Sequence, residues 1–165
     1  MGIDQVVDLQ ALTVPPVAEG SHAPRFTLRS QHGEDVAPIA AGRPALLVFF
    51  PFAFSSICSA ELLDLEQYHG AFKAADVHVV AISCDPVYAL RAMADADDLT
   101  FSLVSDFWPH GEVARTYGCF DDTTGAAQRS SFLVRPDGEV CWSLHRGMAE
   151  RRSVQDHLDA LPRLA

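Results

Sequence analysis

Apolar residues are unevenly spread along the chain, and their spacing predicts most of its elements. Residues 45–50, Ala45-Leu46-Leu47-Val48-Phe49-Phe50, are continuously apolar. Such a run predicts a strand covered on both faces, hence central in a sheet. Pro51 breaks it. Over residues 59–73, Leu62, Leu65, Tyr68 and Phe72 recur at intervals of three and four, which is one apolar helix face. Residues 77–82 read as a second buried strand. Asp85-Pro86 has the chemistry of an N-cap followed by N1, predicting a helix to about residue 96. Residues 101–104 form a short strand. Pro109 opens a short helix that ends at Tyr117, with Gly118 as its C′ residue. Residues 130–135 and 139–144 flank Pro136-Asp137-Gly138, a hairpin turn. A last helix spans residues 153–161, with Val154, Leu158 and Leu161 facing the core. Ahead of these, residues 26–29 alternate like a strand, residues 31–34 turn and residues 35–37 return, giving an N-terminal hairpin.

This order predicts an α/β fold. Strand–helix–strand units impose right-handed parallel crossovers, and the terminal hairpin adds antiparallel strands. The result is a central mixed β-sheet flanked by helices. Residues 1–16 are expected to be an N-terminal extension, weakly amphipathic and closed by Pro15-Pro16, and residues 17–165 a single domain.

Composition narrows the function. A net charge of -10 excludes nucleic acid and anionic membrane surfaces as main partners. No apolar run is long enough to span a membrane, and no secretory signal pattern opens the chain. The four cysteines, at 58, 84, 119 and 141, are widely spaced and form no CxxC pair. They are no disulfide framework, so a reducing, cytoplasmic setting is expected. The seven histidines show no metal-ligand spacing, and neither metal nor cofactor is expected. Arg146, Arg151 and Arg152 read as a solvated basic cluster.

Cys58 is where chemistry concentrates. It follows the buried strand and sits in or beside the first turn of the next helix, with serines available as N-caps. Free backbone N–H groups and the positive end of the helix dipole meet there. Both favour a thiolate, the reactive form of cysteine. In the spacing Pro51-x-x-x-Ser55-x-x-Cys58, the Ser55 hydroxyl lies near the sulfur, where it can donate to a thiolate or position a substrate oxygen. Pro51 can shield the sulfur from bulk water. A thiolate also needs a nearby cation. Arg129 is the candidate, because it opens an otherwise uncharged strand and would reach across the helix N-terminus. The bland alternative is a buried, inert cysteine.

These residues carry a resemblance. The block 45–61 resembles the peroxidatic-cysteine motif of the peroxiredoxins, P-x-x-x-[T/S]-x-x-C, with Glu61 three positions on. Ala23-Pro24-Arg25-Phe26-Thr27-Leu28 resembles the family's opening. Ser105-Asp106-Phe107-Trp108-Pro109-His110-Gly111 resembles a stretch of the one-cysteine, AhpE-type subgroup. Arg129-Ser130-Ser131-Phe132-Leu133-Val134 resembles the strand that bears the family's active-site arginine. The similarity covers roughly residues 17–163. It implies a thioredoxin-like fold and a thiol-dependent peroxidase acting on hydrogen peroxide, organic hydroperoxides or peroxynitrite. By resemblance Cys58 is the nucleophile, Pro51 the shield, Arg129 the stabiliser of thiolate and peroxide, and Glu61 an orienter of nearby cations. Ser55 stands where the family usually has Thr.

Some relatives carry a resolving cysteine five residues after the nucleophile, where this chain has Leu63. Cys84, Cys119 and Cys141 read as small buried hydrophobes. The expectation is a one-cysteine mechanism with an external thiol reductant: a low-molecular-weight thiol, a glutaredoxin-like protein or thioredoxin. Trp108-Pro109-His110 reads either as core and loop packing or, as the resemblance implies, as a subunit interface of a homodimer or higher oligomer, and the interface is expected. Two other functions use the same fold. One is a monothiol thiol–disulfide oxidoreductase; the other is a redox sensor in which Cys58 oxidation alters assembly.

Overall fold

A computed structural model describes residues 14–165. The first thirteen residues of the expected extension lie outside the described residues. Where description begins, the Val17 N–H donates to the Tyr117 carbonyl at 3.1 Å, so this edge of the chain is held to the domain.

Among the described residues, seven strands form one mixed sheet. In chain order they are β1 (Leu28–Ser30), β2 (Asp35–Val36), β3 (Ala45–Phe49), β4 (His78–Ser83), β5 (Ser102–Ser105), β8 (Arg129–Val134) and β9 (Val140–Arg146). A separate two-stranded ribbon pairs β6 (Phe120–Asp121) with β7 (Ala126–Ala127). The sheet order is β2-β1-β5-β4-β3-β8-β9. β3 and β4 run parallel with Ala45 opposite His78, and β8 lies antiparallel on the other side of β3 with Val48 opposite Ser131. All five residues of β3 are buried, as a two-sided strand requires.

Alternation along β3 sends side chains to two cores. Leu46 and Val48 pack with Leu62 and Leu65 of α1 (Ser56–Gln67), Phe72 of α2 (His69–Ala74), Leu90 and Met93 of α3 (Val87–Asp97) and Ala160 of α5 (Val154–Ala160). Leu47 and Phe49 face Val113 and Ala114 of α4 (Glu112–Thr116) and an aromatic cluster. In that cluster Tyr117 lies 5.3 Å from Phe49 and 5.2 Å from Phe132, centroid to centroid. Helices therefore cover both faces, with the thicker layer on the side that carries α1. No helix among the described residues is long and apolar enough to cross a membrane.

Three local expectations change. The helix expected over residues 59–73 is two helices, α1 and α2, which meet at Tyr68. The break rotates the apolar phase, and Tyr68 is 41% exposed while Phe72 stays buried. Asp85 does not cap α3. The N-cap is Pro86, which has no side-chain cap bond, and the Asp85 carboxylate instead accepts from the Ala53 N–H at 2.8 Å and the Ser83 hydroxyl at 2.7 Å. The β6–β7 ribbon was not expected, because two-residue arms are too short to show a period of two.

Candidate active site

The site forms where β3 gives way to α1. Beyond β3, the Phe50 N–H still bonds the Ile82 carbonyl at 2.9 Å, and the chain then turns outward at Pro51. Asp85 holds the loop by the Ala53 N–H. Phe54 adopts a left-handed φ of 67°, a costly conformation for a bulky residue, and so needs such anchoring. Ser55 then caps α1: its Oγ accepts from the Cys58 N–H at 3.3 Å. That bond uses the hydroxyl as acceptor and leaves its proton free to donate. Cys58 is thereby placed in the first turn, with its side chain fully buried.

Arg129, the first residue of β8, reaches the sulfur. Its Nη1 lies 3.3 Å from Cys58 Sγ and 3.0 Å from Glu61 Oε1, and its Nε donates to the Met148 carbonyl at 2.7 Å. Three fixed contacts leave the guanidinium one orientation. Glu61 is three residues beyond Cys58 on the same face of α1, so one helix turn supplies both groups.

A second arginine completes the cluster. Arg152 donates to Glu61 Oε2 from Nε at 2.8 Å and from Nη2 at 2.5 Å, and its backbone N–H reaches Oε1 at 3.2 Å. Its Nη1 donates to Ser131 Oγ at 3.0 Å. Arg152 is 1% exposed, so its assignment to a solvated cluster is corrected. Burial presses its ionisation downward, the Glu61 carboxylate opposes this, and a guanidinium remains charged. Cys58, Arg129, Glu61 and Arg152 thus form a row in which sign alternates when the sulfur is a thiolate. The formal charges then cancel. Burying ion pairs is expensive in desolvation and is a weak source of stability, which points to chemistry as their purpose.

A pocket of about 390 Å³ opens beside this row. Arg129 and Ser55 supply its polar end; Pro51, Phe52, Ile57 and Met148 supply apolar walls. The five residues singled out from sequence, Pro51, Ser55, Cys58, Glu61 and Arg129, are therefore brought together within one cluster.

The model of the AhpC/TSA family matches residues 20–143. The chain belongs to that family, the peroxiredoxins. As a peroxiredoxin it is a thiol-dependent peroxidase. Alkyl hydroperoxide reductase E of Mycobacterium tuberculosis is 37% identical over 147 residues, covering 88% of this chain and 96% of the relative. Alkyl hydroperoxide reductase C of Bacillus subtilis is 29% identical over 103 residues, covering 60% of this chain and 54% of the relative. Among solved structures, Enterococcus faecalis AhpC superposes with a TM-score of 0.81 at 24% identity, covering 87% of this chain and 90% of that one. A peroxiredoxin-like protein from Aquifex aeolicus superposes with a TM-score of 0.83 at 16% identity, covering 93% and 91%. These two likenesses show the thioredoxin-like peroxiredoxin fold.

The other three cysteines of this peroxiredoxin are free and buried. Burial, reinforced by Asp106, pushes the Cys84 thiol up to about 12 and the Cys119 thiol up as well. Burial also raises Cys141. All three are held as neutral thiols, which are poor nucleophiles. Two residues that matter to the peroxiredoxin site escaped the sequence reading. Asp85 looked like a helix cap, and nothing local marks its reach to the loop. Arg152 sat among basic neighbours, and its only signal is its place just before the Ser153 N-cap.

Proposed function

We propose that Cys58 is the peroxidatic nucleophile of a one-cysteine peroxiredoxin that prefers alkyl hydroperoxides. The 3.3 Å contact between Arg129 Nη1 and Cys58 Sγ, at the polar end of a largely apolar pocket, carries this reading. The hydroperoxide group would sit against Ser55 and Arg129, with its carbon tail along Phe52, Ile57 and Met148. The Cys58 thiolate attacks the nearer oxygen and the O–O bond breaks. Charge moves to the leaving oxygen, which takes a proton and departs as alcohol, or as water from hydrogen peroxide. Arg129 and the Ser55 hydroxyl bind both oxygens best as that charge develops. Pro51 excludes water from one side. Glu61 and Arg152 hold Arg129 in place.

Cys58 is left as a sulfenic acid, the first and reversible rung of cysteine oxidation. One external thiol condenses with it, releasing water and leaving a mixed disulfide. A second thiol frees Cys58 and leaves as the oxidised disulfide. A low-molecular-weight thiol, a glutaredoxin-like protein or thioredoxin fits this role, since the three other cysteines are neutral and buried. Trp108, 82% exposed beside the half-exposed Phe107, supports a homodimer contact at that surface.

Stopped-flow oxidation by hydrogen peroxide and by an alkyl hydroperoxide tests the proposal. Cys58→Ser is expected to abolish the reaction. Arg129→Ala is expected to slow it at least tenfold, about 1.4 kcal/mol of barrier. An unchanged rate in either variant overturns the residue assignment. After one equivalent of peroxide, disulfide mapping should find Cys58 as sulfenic acid or its trapped adduct; a rapid Cys58–Cys84 or Cys58–Cys119 bond overturns the one-cysteine mechanism.

A further inference from the structure

Behind the charged row lies a buried histidine that the peroxidase chemistry does not use. His157 sits on α5, is 3% exposed, and uses both ring nitrogens. Nδ1 lies 3.0 Å from the Ser153 carbonyl, and Nε2 lies 2.9 Å from Ser131 Oγ. The proton positions in this chain are settled by elimination. A carbonyl only accepts, so Nδ1 carries a hydrogen. Burial first and Arg152 second hold His157 down to about 4, so the ring is neutral near pH 7. Nε2 is then an acceptor, and the Ser131 hydroxyl must donate to it. Ser131 Oγ in turn accepts from Arg152 Nη1 at 3.0 Å. With its proton directed to His157, the hydroxyl presents a lone pair to Arg152.

Resting on the assignment of Cys58 and Arg129 above, we propose that His157 and Ser131 are positioning residues of the peroxidase site, acting in sequence through Arg152, Glu61 and Arg129 on the Cys58 sulfur. The geometry is continuous: His157 Nε2 orients the Ser131 hydroxyl, the hydroxyl fixes one end of Arg152, Arg152 grips Glu61 Oε2, and Glu61 Oε1 holds Arg129 Nη1 at 3.0 Å. Arg152 has no exposed side-chain surface, so a lost partner is not replaced by bulk water. The acceptor at the far end sets the aim of the guanidinium at the near end. Two groups with no contact to substrate thus extend the site from α1 and β8 to the last helix.

The test uses the full-length protein and stopped-flow oxidation of Cys58 by an alkyl hydroperoxide, with thermal unfolding measured on the same samples. His157→Leu keeps the bulk and removes the acceptor; it is expected to slow oxidation at least fivefold. His157→Gln places an amide oxygen near the position of Nε2 and is expected to stay within twofold of wild type. A merely structural role predicts that rate follows thermal stability, so a fast His157→Leu, or a His157→Gln as slow as His157→Leu at matched stability, overturns the proposal. Ser131→Ala provides the second route should either histidine variant fail to fold. It is expected to slow oxidation at least fivefold, and a wild-type rate in it overturns the proposal. Adding His157→Leu to Ser131→Ala should cost less than a further twofold, because the two act through one path; a full multiplicative loss overturns it. Cys58→Ser, run alongside, separates this outcome from failure of the nucleophile assignment.

Discussion

At the scale of single residues, the site turns on one carboxylate shared by two guanidiniums. Glu61 accepts from Arg129 and from Arg152, and both arginines are almost wholly buried. Replacing it with a neutral side chain leaves two buried cations facing each other. Glu61→Gln is therefore expected to lower the free energy of unfolding by about 3 kcal/mol, read from guanidinium chloride melts. The same scale explains what was readable in the chain. Pro51, Ser55, Cys58 and Glu61 fall within eleven positions, and a helix start converts that spacing directly into proximity. Arg129 was readable because it is the lone cation on its strand. Arg152 was not, because its neighbours differ only in direction. Arg151 forms an exposed ion pair with Asp64, and Arg152, the next residue, is buried against Glu61. Composition carries no record of which of two adjacent arginines is buried.

At the scale of elements, the start of α1 does most of the positioning. The Ser55 cap satisfies one orphan N–H of the first turn, that of Cys58 itself. Ser55→Ala should cost about 1 kcal/mol of stability, measured by thermal or denaturant unfolding, while Ser55→Thr keeps the cap and stays near wild type. A larger loss in oxidation rate than in stability for Ser55→Ala would show the hydroxyl's second use on the peroxide. The apolar periodicity of residues 59–73 was legible as helix but not as two helices. The break at Tyr68 depends on where Phe72 must reach in the core, which is a property of the packed molecule. The Asp85-Pro86 pair shows the same limit. Its local chemistry suits a cap, yet the carboxylate finds a better use at the Ala53 N–H, thirty-two residues away.

At the scale of the whole molecule, four histidines share one electrostatic direction. Burial lowers His69, His78, His145 and His157, the last to about 4, with the Arg152 charge adding to the effect there. Each binds its proton less readily in the folded protein than in the unfolded chain. For His157 the window runs from about pH 4 to 6.5, where the unfolded state binds more protons, so stability rises with pH across it. The contribution is complete above about 6.5 and lost as pH falls toward 4. His157 alone supplies about 3 kcal/mol of this change. Denaturant melts from pH 4 to 7 should show the slope in wild type and a shallower one in His157→Gln; equal slopes would exclude His157 as a source.

The order of the main-sheet strands and the helices between them, apart from the α1–α2 break, and the reactive segment 51–61 followed from the chain alone. Both depend on short-range rules: hydrophobic period, turn chemistry and helix capping act over a few residues and leave a local pattern. The hydrogen-bonded row from His157 to Cys58 was decided only by tertiary structure. Its members come from α1, β8, the segment before α5 and α5 itself, up to ninety-nine positions apart, and they meet because β8 pairs with β3 and α5 packs on the same face as α1. Desolvation then makes each of those meetings obligatory, since a buried charge or hydroxyl must find a partner that only the folded chain can bring.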